Sequence, residues 1–264
     1  MLANIALHGL EEHVAEAFPK TRRVGGKKER WTPAVIRYAD DLVVLHPDLG
    51  VIQRSKEVVA GWLKGMGLEL KPSKTFISHT LVEHEGRVGF DFLGFTVRQF
   101  RVGKHHTGKN GRGKPLGFKT LIKPSRRKVT AHHGQLKEMI RSLRTAHQQI
   151  LIHRLNPVIR GWANYYRTAV SKATFSKLDD RLYSALRHWA QRRHPGKPAT
   201  WVVARYWTMP RWDFGDEQVV LAKHAWTRIV RHVKIPGTKS PYDGDWLYWA
   251  SRWGHYPKVS PSLA

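Results

Sequence analysis

Residues 34–45 set the narrowest limit on what this chain can fold into. Two short β-prone runs, Ala34–Tyr38 and Leu42–Leu45, flank the adjacent carboxylates Asp40 and Asp41. Such runs, separated by turn-forming residues, read as an antiparallel hairpin with the acidic pair in its turn. Two neighbouring carboxylates between apolar strands do nothing for packing, and held together they repel. A divalent cation relieves that repulsion, and Mg²⁺ takes oxygen ligands, commonly one or two carboxylates plus substrate phosphates. An ordinary Asp-rich turn has the same bare sequence, so the neighbouring segments must decide between the two.

Those neighbours predict a mixed first hundred residues. Ala6, Leu10, Val14 and Phe18 recur four apart, which predicts a helix over 1–18. Residues 19–31 are basic and Gly-rich and read as a loop. After His46-Pro47, Asp48 is a suitable N-cap for a helix with Leu49, Ile52, Val59, Leu63 and Met66 on one face, ended by Gly65 and Gly67. Short strands are expected at Leu68–Leu70, Thr75–Ser78 and Phe90–Val97, with a hairpin around Glu85-Gly86. The expected fold class is therefore α+β, with antiparallel strands.

The charge distribution separates this half from the rest. The 264 residues carry a net charge of +26, yet residues 1–100 hold 14 basic and 12 acidic side chains. Residues 101–195 alone hold 22 basic and 3 acidic ones. A concentration of Lys and Arg of this kind is the electrostatic footprint of nucleic-acid binding. Residues 101–121 read as a basic Gly-rich connector. Beyond it, Leu136, Ile140 and Leu143 mark one helix, and Ile150, Leu151 and Leu155 a second. Pro157 suits the first turn of a third, running to Tyr166. Phe175, Leu178, Leu182, Leu186 and Trp189 mark a fourth, before His194-Pro-Gly-Lys-Pro198 breaks the pattern. The remainder holds seven of the eleven tryptophans without long periodicity.

Several function classes drop out. Without cysteine there are no disulfides and no thiolate metal sites. The histidine pairs His105-His106 and His132-His133 do not readily face one tetrahedral ion, which argues against structural zinc. Gly103–Gly113 lacks the pattern of an NTP-binding loop. Apolar runs are too short for a bilayer, and Met1 opens without a basic stretch, so the expected location is cytoplasmic, of the bacterial, nucleic-acid-associated type, with no membrane partner.

The order of segments carries a family resemblance. Tyr38-Ala39-Asp40-Asp41 between apolar strands, then a helix, Gly67-Leu-Glu-Leu-Lys-Pro-Ser-Lys74 and Phe90-Asp-Phe-Leu-Gly-Phe95, resembles a reverse transcriptase palm. Leu155-Asn-Pro-Val-Ile-Arg-Gly-Trp-Ala-Asn-Tyr-Tyr-Arg167 is similar to the maturase (X) or thumb region of group II intron-encoded proteins, and Lys234–Trp246 to the segment after that thumb in bacterial members. The resemblance implies a partial palm over 1–100, a connector over 101–121, a helical thumb over 122–195 and a Trp-rich basic region over 196–264. It implies RNA-directed DNA synthesis by two-metal phosphoryl transfer, and binding of intron RNA to assist splicing.

Residue by residue, the resemblance makes Asp40 and Asp41 the catalytic metal ligands for Mg²⁺, or Mn²⁺ in its place. Tyr38 and Ala39 would line the primer terminus and incoming nucleotide. Lys74 would serve the nucleotide region, and Phe92, Leu93 and Gly94 the turn that positions the primer 3′ end. The implied partners are intron RNA and an RNA/DNA template–primer duplex. The family palm also uses a third carboxylate on an earlier strand and upstream fingers, for which residues 1–264 offer no match. The expectation is thus a truncated enzyme not competent by itself, served by an upstream reverse-transcriptase fragment. A non-catalytic RNA-binding maturase fragment and a degenerate truncated reverse transcriptase are the alternatives.

For the thumb, Arg126, Arg127, Lys128, Arg141, Arg144, Arg160 and Arg167 are the candidate phosphate contacts. Trp162, Tyr165 and Tyr166 form a helical stripe that suits core packing better than base stacking. The Trp-rich tail poses the same choice.

Overall fold

The computed structural model describes residues 5–110, 113–230, 235, 239 and 243–255. Residues 1–4, where the first expected helix begins, and most of the 234–242 segment, on which part of the family resemblance falls, lie outside the described residues. The chain divides into two compact units, residues 1–121 and 122–264, each described by itself. Among the described residues no helix is long and apolar enough to cross a membrane.

In the first unit the expected helix over 1–18 is interrupted. Gly9 turns with φ 86°, and helix α1 (Leu10–Glu16) starts after it. Residues 19–31 form a hairpin rather than a loop: β1 (Thr21–Val24) pairs antiparallel with β2 (Lys27–Arg30) across Gly25-Gly26. Both strands are exposed throughout, so no apolar alternation announces them. The central hairpin is as expected, with β3 (Ala34–Tyr38) antiparallel to β4 (Asp41–Leu45).

Asp48 caps α2 (Leu49–Lys64), its side chain accepting from Val51 N at 3.1 Å. The buried face is Val51, Ser55, Val59 and Leu63, whereas Leu49 and Met66 are exposed. Ser55 belongs there because its hydroxyl donates to the Val51 carbonyl at 2.7 Å, which leaves no unpaired polar group. Leu10, Val14, Val59 and Leu63 make the core, and Val35 and Leu42 pack on it from the hairpin.

Residues 68–70 and 75–78 are not strands. Pro72–Lys74 makes a 3₁₀ turn, because proline fixes φ and supplies no donor to a ladder. The expected strand over 90–97 is two strands, β5 (Phe90–Phe92) and β6 (Phe95–Arg101), joined by a tight turn at Leu93-Gly94. Gly89 has to be glycine: with φ 76°, a Cβ there would lie 2.4 Å from the Val97 carbonyl oxygen. The connector is shorter than expected, since β6 reaches Arg101 and β7 (Phe118–Pro124) begins at Phe118.

The second unit is built on helices. Ser125 caps α3 (Arg126–Ser142), which starts ten residues before Leu136, where the apolar signal begins. The two helices expected on either side of Pro157 are one, α4 (Gln148–Tyr166), with the proline inside. Next come α5 (Lys172–Arg193) and α6 (Ala199–Tyr206), with the break at 194–198 between them. The predicted stripe Phe175, Leu178, Leu182, Leu186 and Trp189 is buried in full. Its Leu182, Leu186 and Trp189 pack in one buried cluster with Leu136, Ile140, Leu151, Ile152, Leu155 and Ile159.

The tail contributes β8 (Trp207–Thr208) paired with β9 (Asp213–Phe214), a 3₁₀ turn at His224–Trp226 and α7 (Trp246–His255). Residues 220–230 run along α4 and α5 as a strap. Asn156 brackets it, donating to the Val220 carbonyl at 3.1 Å and accepting from Ala222 N at 2.7 Å. Asp179 accepts from His224 N and Ala225 N, both at 2.9 Å, and from His224 Nδ1 at 2.7 Å.

Candidate functional site

The register of β3 and β4 decides where the acidic pair points. Residues paired across an antiparallel ladder share a face, and faces alternate along each strand. Val35, Arg37, Leu42 and Val44 therefore lie on one face, which turns to the helices. Arg37 Nε donates to Glu11 Oε1 of α1 at 2.8 Å. Burial pushes the Glu11 carboxyl up, but the Arg37 hydrogen bond, a backbone hydrogen bond and the Arg37 charge together outweigh it, and the group settles below its usual value. Ala34, Ile36, Tyr38, Asp41, Val43 and Leu45 lie on the opposite face. Tyr38 there is 65% exposed.

Asp41 opens β4 opposite Tyr38, and Ala39-Asp40 forms the two-residue turn between them. Ala39 has φ 54°, a left-handed conformation ordinarily left to glycine at the first turn position. Both carboxylates are exposed, and among the described residues no basic side chain forms a salt bridge with either. Their donor set is all oxygen, which suits Mg²⁺ or Mn²⁺ and not a soft metal. Among the described residues no group of three His, Asp or Glu side chains converges on one point.

The other positions picked out in this unit sit in separate local structures. Lys74 is exposed at the end of the 3₁₀ turn. Leu93 and Gly94, with φ 49° and 80°, form the β5–β6 turn, and Phe92 pairs with Phe95 to close it. Two positive φ values in a two-residue loop are the turn that matches strand twist. The β3–β4 and β5–β6 hairpins belong to different sheets.

In the second unit the candidate cations lie in three places and not in one patch. Arg126, Arg127 and Lys128 fill the exposed first turn of α3, with no acidic residue among them. Helix N-termini favour anions, so three cations there oppose the helix dipole and together make a strong anion-attracting point. Arg141 lies roughly 22 Å further along the same helix. It is held by Glu138 at 3.1 Å, and Arg144 follows in the loop beyond. Arg160 and Arg167, within and at the end of α4, line a cleft of about 250 Å³ together with the strap. Of the aromatic stripe, Tyr166 is buried and Trp162 stacks on His132 at 4.6 Å, while Tyr165 is exposed.

Two family models match the chain. The reverse transcriptase (RNA-dependent DNA polymerase) model matches residues 1–97, and the group II intron, maturase-specific domain model matches residues 129–207. The chain belongs to the group II intron-encoded reverse transcriptase/maturase family. No curated protein matches it.

The hairpin with Asp40 and Asp41 lies within the reverse transcriptase segment, and α3 to α6 span the maturase-specific segment of this reverse transcriptase/maturase. Residues 208–264 lie beyond both matches. They nevertheless supply the other wall of the cleft: Lys223, Trp226, Thr227, Arg228 and Val230 face Arg160, Asn164 and Arg167. Sequence reasoning missed Lys223, Trp226, Arg228 and Asn164. The one signal for them was the density of tryptophan and basic residues after residue 199.

Proposed function

We propose that this chain serves RNA-directed DNA synthesis through its Asp40-Asp41 hairpin and binds intron RNA through its helical unit, assisting splicing. The observation that carries the first part is the exposure of two adjacent carboxylates on a hairpin tip, free of salt bridges among the described residues. The second part is supported by the maturase-specific match and by the cations at the start of α3 and along α4.

Asp40 and Asp41 would hold Mg²⁺, and the bound ion would supply charge stabilisation to a phosphoryl transfer. The strand ladder fixes the direction of Asp41 through its pairing with Tyr38, and the Ala39 turn fixes that of Asp40. Tyr38 shares the face of Asp41 and offers a ring to the primer terminus or nucleotide. The Phe92-Leu93-Gly94 turn and Lys74 are assigned to the primer end and the nucleotide region.

The test is Mn²⁺ binding by electron paramagnetic resonance with poly(rA)/oligo(dT) present. Binding that the template–primer strengthens, and that Asp40→Asn with Asp41→Asn removes, is the expected result. Identical binding by the double variant would overturn the metal role. Primer extension abolished by Asp40→Asn would establish polymerase activity. Extension only when an upstream reverse-transcriptase fragment is added is the expected result, and intron RNA binding without extension in either case would leave the maturase role alone.

A further inference from the structure

The strap over residues 220–230 is fixed at both ends and in the middle. Asn156 holds Val220 and Ala222, and Val230 N donates to the Arg167 carbonyl at 2.9 Å. Between them, Asp179 takes the backbone N–H groups of His224 and Ala225, and Lys172 Nζ donates to the Ala225 carbonyl. These contacts set the 3₁₀ turn that ends at Trp226, so the next side chain outward is held on a rigid support. That side chain is an indole 54% exposed.

Trp226 and Lys223 stand between two clefts. One, of about 250 Å³, is bordered by Arg160, Arg167 and Arg228. The other, of about 500 Å³, is bordered by Arg211 and Asp213. Lys223 Nζ meets Asp213 Oδ1 at 2.6 Å, so this cation is already compensated. Among the described residues, Arg160, Arg167 and Arg228 have no acidic partner. Arg160, Asn164 and Arg167 recur at i, i+4 and i+7, one face of the α4 helix. With Arg228 on the strap opposite, three uncompensated guanidinium groups surround one concave surface.

We propose that Trp226 and the cleft beside it form a binding site for an unpaired nucleotide, its base stacked on the indole and its flanking phosphates held by Arg160, Arg167 and Arg228. A duplex would use the cations but not the ring, because its base faces are already stacked. Unpaired bases in loops and single strands are the ones that protein aromatics take. An acidic peptide would likewise leave the ring unused. The inference rests on the RNA-binding reading above and narrows it to one site and one state of the nucleic acid.

The experiment is fluorescence anisotropy with the 264-residue chain. The probes are a 12-nucleotide single-stranded RNA, the DNA of the same sequence and the 12-base-pair RNA duplex. Trp226→Ala should weaken single-strand binding about tenfold and leave the duplex within about twofold, with Trp226→Phe close to the parent. Its log–log salt slope should be unchanged, because stacking releases no counterions, while Arg228→Gln should lower the slope by about 0.7. A 2-aminopurine in the RNA should lose its quenching in Trp226→Ala alone. Comparison of the two single strands tells whether the site takes RNA or either sugar.

Equal loss on single strand and duplex, no loss on either, or full displacement by polyglutamate at equal charge would overturn the site while leaving general RNA binding intact. Failure of the parent chain to bind any probe would overturn the RNA-binding reading itself.

Discussion

His132 and His224 meet Nε2 to Nε2 at 2.9 Å in the interior of the helical unit. A carboxylate only accepts, so His224 donates Nδ1–H to Asp179, and the two Nε2 atoms share one proton between them. His132 is buried, stacked on Trp162, with His224 and His133 near it, and its pKa is held down to about 3, by burial first and by His224 second. An unfolded histidine titrates near 6.5, so between those values the unfolded chain binds the extra proton. The stabilisation from keeping His132 neutral is complete above about pH 6.5 and is lost as the pH falls through that window toward 3. At pH 5 the loss from this one residue is about 2 kcal/mol. Urea titrations at pH 7.5 and 5 should show it, and His132→Gln should flatten the difference.

The turn holding the acidic pair is the subject of the second prediction. Ala39 at φ 54° sits where an L residue costs roughly 1–2 kcal/mol. Glycine removes that cost but gives part of it back through the freer unfolded chain, so Ala39→Gly should gain no more than about 1 kcal/mol. Ala39→Val should lose stability, because a β-branched residue there is a true outlier. Denaturant midpoints of the two variants should move in opposite directions.

At the start of α3, stability and binding should separate. Arg127→Glu places a favourable charge at a helix N-terminus and should stabilise the chain by about 0.3–1 kcal/mol. The same change removes a phosphate contact and should weaken RNA binding and flatten its salt dependence. Charge reversal at Arg126-Arg127-Lys128 should weaken binding more than reversal at Lys27-Lys28, although the β1–β2 hairpin is also exposed and basic. Filter binding across a salt series, with a thermal melt of each variant, checks both halves.

Asn156→Ala should cost about 2 kcal/mol, because it leaves the Val220 carbonyl and Ala222 N–H without their partner in a half-buried setting. Hydrogen exchange should rise at Ala222 in this variant well before the α4 amides respond.

What the sequence disclosed and what it hid divide along physical lines. The β3–β4 hairpin, the Asp48 cap and the Phe175–Trp189 stripe were legible because each is written in residues that are close along the chain. The β1–β2 hairpin was not, since fully exposed strands need no apolar alternation. Leu93 hid the β5–β6 turn, because a leucine at positive φ is not a usual turn signal. Pro157 suggested a new helix, but a proline inside α4 is accommodated there, and the neighbouring Asn156 turns its side chain to the strap. The cleft around Trp226 was out of reach, because its parts meet through contacts 45 to 66 residues apart. The metal and primer roles given to Asp40, Asp41, Lys74 and Phe92–Gly94 came from resemblance, and the geometry supplies their positions and not those roles.

The strap also sets an order of events during synthesis. Asn156 and Asp179 are synthesised before residues 220–225, which supply their partners. Until then each has polar atoms directed at groups that do not yet exist. At about 5–20 residues per second, the wait is some seconds. Helices α3 to α5 of a nascent chain therefore lack their last layer of hydrogen bonds until translation has passed the strap. The wall of the cleft that holds Trp226 does not exist any earlier. An RNA held there would be engaged only by a protein whose second unit has been translated through that point.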